Sequence, residues 1–159
     1  MKIGPINDKN KLKTISLFCC AGGADLGLTG GFRYLKKNYK KHPIEIKHAS
    51  DIDPKAIASY NLNFHKKAIV SDIKDLDFSK KMADLVIGGF PCQAFSTVNP
   101  TKNPDNKENQ LFWEMANVIE NVKPKIFVAE NVKGFFQLKK GKYFHMALEV
   151  FQKSGYKTF

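Results

Sequence analysis

Apolar and polar positions follow two rhythms along the chain. Short apolar runs at residues 14–20, 44–50, 68–70, 83–88 and 125–129 are strand-length and rich in β-branched residues, which predicts buried strands. Longer stretches between them carry apolar residues at helical spacing. Residues 24–37 would turn Leu26, Phe32 and Leu35 inward, and a helix opened by Pro54 would bury Ile57, Tyr60 and Phe64. Leu111, Met115, Val118 and Val122, with Phe112 and Ile119 beside them, form the strongest stripe, and Trp113 falls on its flank. Residues 141–153 present Phe144, Leu148 and Phe151, and Gly155 supplies a helix stop. Strands alternating with helices predict an α/β fold built on a parallel sheet. Residues 74–81 read as a polar connection, 1–13 as a flexible basic tail ahead of one domain over 14–159, and 156–159 as the start of a sixth strand.

In open parallel sheets, ligand chemistry gathers at the carboxyl ends of the strands. Here those ends carry a glycine turn (Gly22-Gly23), Asp51, Asp72, Cys92 and Glu130. Strand, glycine turn and helix begin a Rossmann-like unit, although Gly22-Gly23 does not make a G-x-G-x-x-G signature. An acid at the end of the second strand suits ribose hydroxyls. Asp53, just before Pro54, suits the helix cap instead, which leaves Asp51 for a ligand. Carboxylates and a thiol on one sheet edge have no purpose in a protein built only for stability. A cofactor half, strands one to three, then lies beside a chemistry half, strands four and five.

Composition refines this only in part. The 159 residues suffice for one well-buried domain, and no run reaches membrane-span length. Cys19, Cys20 and Cys92 form no disulfide framework and no zinc spacing, which suits a reducing, cytoplasmic setting without metal. The net charge of +11 fits a nucleic-acid partner, but it comes from 25 Lys and a single arginine, Arg33, scattered as doublets. Phosphate and base recognition favour arginine, so charge alone does not decide the matter. His42, His48, His65 and His145 fall at no strand end opposite Cys92, which argues against a Cys-His hydrolase.

With these residues in place, the chain resembles the DNA cytosine-C5 methyltransferase family. Gly-Phe-Pro-Cys-Gln-Ala-Phe-Ser at 89–96 is similar to the family's nucleophile motif, and Glu130-Asn131-Val132-Lys133 to its Glu-Asn-Val motif. Phe18-x-x-x-Gly22-Gly23, Asp51-Ile52-Asp53 and Asp72-Ile73 resemble its cofactor motifs, and Asn109-Gln110-Leu111-Phe112 the segment that closes over the cofactor. The resemblance implies a Rossmann-like S-adenosylmethionine-dependent methyltransferase fold with strand order 3-2-1-4-5 and a truncated sixth and seventh strand. It implies methyl transfer to carbon 5 of cytosine in a base flipped out of DNA, as in a restriction-modification system. Cys92 and Glu130 would be catalytic. Phe18, Gly22, Gly23, Asp51, Ile52, Asp72, Ile73, Pro91 and Leu111 would hold S-adenosylmethionine, and Gln93, Ser96 and Asn131 would meet the substrate.

Three residues depart from the family pattern: Cys20 where glycine is usual, Asp51 where glutamate is usual, and Glu108 where an arginine is usual. The family's later motifs, its DNA-reading domain and its catalytic arginine are also expected to be missing, since Arg33 falls in the predicted helix after the glycine turn. A bare fifth strand would then be an open apolar edge. Some members of the family are encoded as two chains, so a second polypeptide is the expected partner beside DNA. Two alternatives stay open: a non-catalytic remnant that binds DNA or dimerises, and a fragment of a relative that methylates transfer RNA.

Overall fold

The computed structural model describes residues 11–80, 82–91 and 110–159. In chain order the elements are β1 (Leu12–Leu17), α1 (Gly23–Thr29), β2 (Arg33–Tyr34), β3 (Lys37–Asn38), β4 (Ile44–Asp51) and α2 (Pro54–Asn63). There follow β5 (Ile69–Val70), β6 (Leu85–Gly89), α3 (Gln110–Val122), β7 (Ile126–Glu130), α4 (Gly134–Gln137) and α5 (Lys142–Lys153). Five strands pair in parallel in the order β5-β4-β1-β6-β7, which is the predicted 3-2-1-4-5. β2 and β3 form a separate antiparallel hairpin.

β1 is the central strand, and Thr14, Ile15, Ser16 and Leu17 are all buried, because helices cover both of its faces. On one side the α3 stripe delivers Phe112, Met115, Ile119 and Val122, each essentially fully buried against Val86, Leu17 and Phe151. At about 1.5–3 kcal/mol per buried side chain, this stripe contributes strongly to the stability of the domain. On the other side Ile57 and Tyr60 of α2 close over Ile46, Ala49 and Cys19.

Local structure departs from the sequence pattern at four places. The helix predicted over 24–37 stops at Thr29, because Gly30 and Gly31 turn left-handed at φ 61° and 78°. A Cβ on Gly30 would sit 2.0 Å from the Lys40 carbonyl oxygen, so only glycine lets the two arms of the hairpin meet there. Arg33 therefore lies in β2, Leu35 is 81% exposed, and the buried residue of α1 is Asp25. β1 starts at Leu12, inside the expected tail, because its N–H reaches the Pro43 carbonyl. The connection after β5 is not wholly polar: Phe78 is buried and meets His48 edge to face. Residues 156–159 form no strand; α5 ends in a Schellman closure, with Tyr156 N–H on Phe151 O and Gly155 N–H on Gln152 O.

Asp84 fastens the amino edge of the sheet. Its carboxylate accepts the Lys13 N–H at 3.0 Å and the Lys125 ammonium at 2.8 Å, bridging β1 and the entry to β7. These partners, the Lys125 contact first, hold the Asp84 carboxyl below the usual carboxylate range. A depressed acid stabilises the fold above its unfolded pKa of about 3.9, and that contribution disappears as pH falls through the folded value. Asp84→Asn is expected to cost about 1 kcal/mol at neutral pH. Urea titrations of both proteins should converge in acid, below about pH 4.

Candidate active site

Beyond Leu17 the chain leaves β1 through an unusual backbone. Phe18, Cys20 and Gly22 all adopt positive φ, at 52°, 49° and 89°. The turn is held by Asp51 at the end of β4, whose Oδ2 accepts the Cys20 N–H at 2.8 Å. Its Oδ1 accepts the Asp53 N–H at 3.0 Å, and Asp53 in turn caps α2 by accepting the Lys55 N–H at 2.8 Å. Asp53 thus takes the cap as the sequence predicts, and Asp51 braces the turn from the end of β4. A carboxylate has about four lone-pair sites, so Asp51 can still accept two hydroxyl donors.

A cleft of about 400 Å³ opens at this edge. Phe18 and Cys20 line it from β1, Asp51 and Ile52 from β4, Asp72 and Ile73 from the end of β5, Gly89 and Pro91 from β6, and Leu111 from α3. Ile52 is 67% exposed, an apolar platform beside a carboxylate. Asp72 also accepts the Lys74 N–H at 3.0 Å and so fixes the short turn that carries Ile73. Gly22 and Gly23 stand beside the cleft rather than in its lining. Gly22 lies where the turn presses on α2: a Cβ there would come within 2.3 Å of the Phe64 ring. Gly23 faces open space.

The chemistry half is built by register. Gly89 of β6 pairs with Glu130 of β7, and a Cβ on Gly89 would meet the Glu130 Oε2 at 3.0 Å. Glycine at 89 therefore leaves room for the exposed Glu130 carboxylate beside the chain leading to Cys92. Asn131 ties the two strand ends together, donating from Nδ2 to the Phe90 carbonyl at 3.0 Å while its Oδ1 accepts the Val132 N–H at 2.8 Å. Cys92, Gln93 and Ser96 lie outside the described residues, as do Glu108 and Asn109. Glu130 and Asn131 also stand on a second, larger hollow of about 920 Å³ that runs along β7 and is walled by α4, α5 and residues 156–159. Among the described residues β7 is hydrogen-bonded to β6 alone in the sheet, and Ile126 and Val128 are about half exposed.

The family model for C-5 cytosine-specific DNA methylase matches residues 12–159, nearly the whole of this architecture. The chain belongs to that family. The type II methyltransferase M.BspRI of Lysinibacillus sphaericus is 35% identical over 168 aligned residues, covering 94% of this chain and 39% of the relative. The chain thus spans about two fifths of the length of such relatives. The crystal structure of the S. pombe Dnmt2 methyltransferase superposes with a TM-score of 0.61 at 28% identity, covering 87% of this chain and 42% of that one. A TehB-like SAM-dependent methyltransferase from Corynebacterium glutamicum shares the fold alone, with a TM-score of 0.57 at 15% identity. Among the described residues no cluster of His, Cys, Asp and Glu could hold a metal, and no helix is long and apolar enough to cross a membrane.

Within this methylase domain, sequence reasoning missed Asp25. It is fully buried, accepting the Ser16 hydroxyl at 2.6 Å on one oxygen and the Tyr60 hydroxyl at 2.7 Å on the other. The cluster joins β1, α1 and α2 behind the Phe18–Gly22 turn. Its only signal in the sequence was an acid at a position where the first turn of α1 meets the core. Burial pushes the Asp25 carboxyl up, against the lowering effect of the two hydroxyls. A raised acid destabilises the fold as pH climbs from about 3.9 toward the folded value, because the folded state holds the proton longer. Asp25→Asn should remove that slope from a stability–pH series. Asp25→Ala, which strands two buried hydroxyls, should cost about 3 kcal/mol in urea unfolding.

Cys20 gives the second test. Left-handed backbone costs a non-glycine residue about 1–2 kcal/mol, and glycine returns about half of any relief through its freer unfolded chain. Cys20→Gly should stabilise the domain by about 0.5 kcal/mol, whereas the β-branched Cys20→Val should destabilise it by about 1 kcal/mol or more. Equal unfolding midpoints for the two variants would contradict a strained turn.

Proposed function

We propose that this chain forms the cofactor-binding and nucleophile-bearing part of an enzyme that methylates carbon 5 of cytosine in DNA, within a type II restriction-modification system. The observation that carries the reading is the cleft at the carboxyl edge, where an open-sided Asp51 carboxylate and the bare Ile52 face stand across from Gly89 and Pro91, one residue before Cys92. That donor set suits S-adenosylmethionine. Asp51 would accept the ribose hydroxyls, Ile52 and Leu111 would sandwich the adenine, Asp72 would accept its amino group, and Phe18 would border the sulfonium. When bound, the cofactor supplies an electrophilic methyl group.

The chain's own residues would prepare the cytosine. Cys92, as thiolate, adds to C6 of the flipped base, and the ring electrons move toward C5. Glu130, as the acid, donates to N3 and takes up the charge that develops there. After methylation, a water molecule takes the C5 proton, the ring double bond re-forms as the Cys92 thiolate leaves C6, and the N3 proton returns to Glu130. Gln93 and Ser96 would position the nucleophile loop against the substrate, and Asn131 would hold that loop through the Phe90 carbonyl. A second polypeptide would cover the exposed β7 edge.

Calorimetry should show S-adenosylhomocysteine binding to the wild type and binding at least about tenfold weaker to Asp51→Ala. The same ligand should protect Cys20, exposed in the cleft, from iodoacetamide in a peptide-mapped alkylation, while buried Cys19, its thiol pushed up to about 12, stays unreactive throughout. An oligonucleotide containing 5-fluorocytosine should trap Cys92 covalently once a complementing chain is added. Unchanged affinity in Asp51→Ala with unprotected Cys20 would overturn the cofactor assignment. Full methyl transfer by this chain alone would overturn the need for a partner.

A further inference from the structure

We propose that the β2–β3 hairpin is a docking arm for the phosphate backbone of duplex DNA, on the sheet edge opposite the cofactor cleft. α1 carries the chain from the Gly22 turn back to Thr29, and β4 starts at Ile44 beside the first residue of β1. The hairpin between them therefore projects from the amino edge of the sheet. It bears Arg33, Lys36, Lys37, Lys40 and Lys41, all exposed, and no acid occurs between Thr29 and Ile44. Three lysines elsewhere sit on carboxylates: Lys47 pairs with Glu45, Lys123 with Glu120, and Lys125 with Asp84. None of the five hairpin cations has a carboxylate partner among the described residues. The chain's one arginine is here, although sequence alone showed only scattered doublets.

The backbone provides a second, independent observation. Leu35 and Lys36 form the two-residue tip, and both are left-handed, at φ 45° and 63°. Two-residue hairpin turns of that kind ordinarily take Asn-Gly. Leu and Lys are disfavoured in that backbone, and the tip gains little from packing, since Leu35 is 81% exposed and the neighbouring Tyr34 62%. Strain held at an exposed position points to a use outside the fold.

The base of the arm is firm. Gly31 N–H reaches Tyr39 O at 3.1 Å, Tyr39 N–H reaches Phe32 O at 2.9 Å, the Phe32 and Tyr39 rings stack at 4.7 Å, and Lys37 lies 5.2 Å above Tyr39. Cations fixed on such an arm lose little freedom on binding. Duplex DNA presents one charge per about 1.7 Å of axis, so a two-stranded arm spans several phosphates. The exposed tyrosine and leucine at the tip suit sugar and base edges more than bulk solvent.

The test compares two full-length variants with the same net charge. Lys36, Lys37, Lys40 and Lys41 are changed to Gln in one; Lys66, Lys142, Lys153 and Lys157, also exposed, are changed to Gln in the other. Fluorescence anisotropy with a labelled DNA duplex is read across a salt series. The hairpin variant should bind at least about tenfold more weakly at low salt, with a log–log salt slope shallower by about 3. The control should stay within about threefold of wild type. Equal loss in both variants, no loss in the hairpin variant, or tighter binding of anionic lipid vesicles than of DNA would overturn the proposal. The arm stands apart from the methyltransferase reading. A complemented chain that binds DNA through it without trapping 5-fluorocytosine would sink only that reading, and one that traps the base normally with the arm neutralised and DNA affinity intact would sink only this proposal.

Discussion

The structure depends on one buried carboxylate. Asp25 sits without solvent at the junction of β1, α1 and α2, and a buried acid is tolerable only when both oxygens are satisfied. Ser16 and Tyr60 satisfy them, and in doing so they fix the distance between the central strand and the helix that follows β4. The Phe18–Gly22 turn is strung between these anchors. Gly22 presses directly on the stacked Tyr60 and Phe64 rings, and Cys20 is held from the far side by Asp51. A strained turn can persist when its surroundings over-determine it, and here two carboxylates do so from opposite sides.

That arrangement separates two kinds of acid that look alike in sequence. Asp25 spends both oxygens on internal hydroxyls and stays out of contact with any ligand. Asp51 spends one lone pair per oxygen on backbone N–H groups and keeps the rest for the cleft. Asp53 and Asp72 each cap a helical turn, yet only Asp72 also reaches the cleft lining. The functional edge is thus assembled from capping interactions that the helices require anyway, tilted so that unspent acceptors face one space.

Much of this was legible before the structure. Strand order came from the family resemblance, whereas the Asp53 cap and the α3 stripe follow from cap chemistry and apolar periodicity, both of which are local. The misreadings share a cause as well. Leu26, Phe32 and Leu35 fall at helical spacing by accident, and only the close approach of Gly30 to Lys40 decides for a hairpin. Asp25 was invisible because burial of a polar group depends on hydroxyls nine and thirty-five residues away. The nucleophile segment was read from its motif alone, since Cys92, Gln93 and Ser96 lie outside the described residues.

The two edges of the sheet now differ in kind. The carboxyl edge concentrates acceptors and a bare apolar platform, which suits a cationic sulfonium nucleoside. The amino edge carries unpaired cations on a stiff arm. A sulfonium and a phosphate backbone ask for opposite local charge, and the acceptors and the hairpin cations lie on opposite edges, with Lys74 the one lysine in the cleft lining. β7 adds a third constraint, for its outer side offers backbone groups and half-buried Ile126 and Val128 to whatever pairs there. Glu130 stands at the end of that same strand. The position of Glu130, the acid in the proposed reaction, is therefore coupled to the occupancy of the edge, and pairing there would order its carboxylate and extend the sheet in one event.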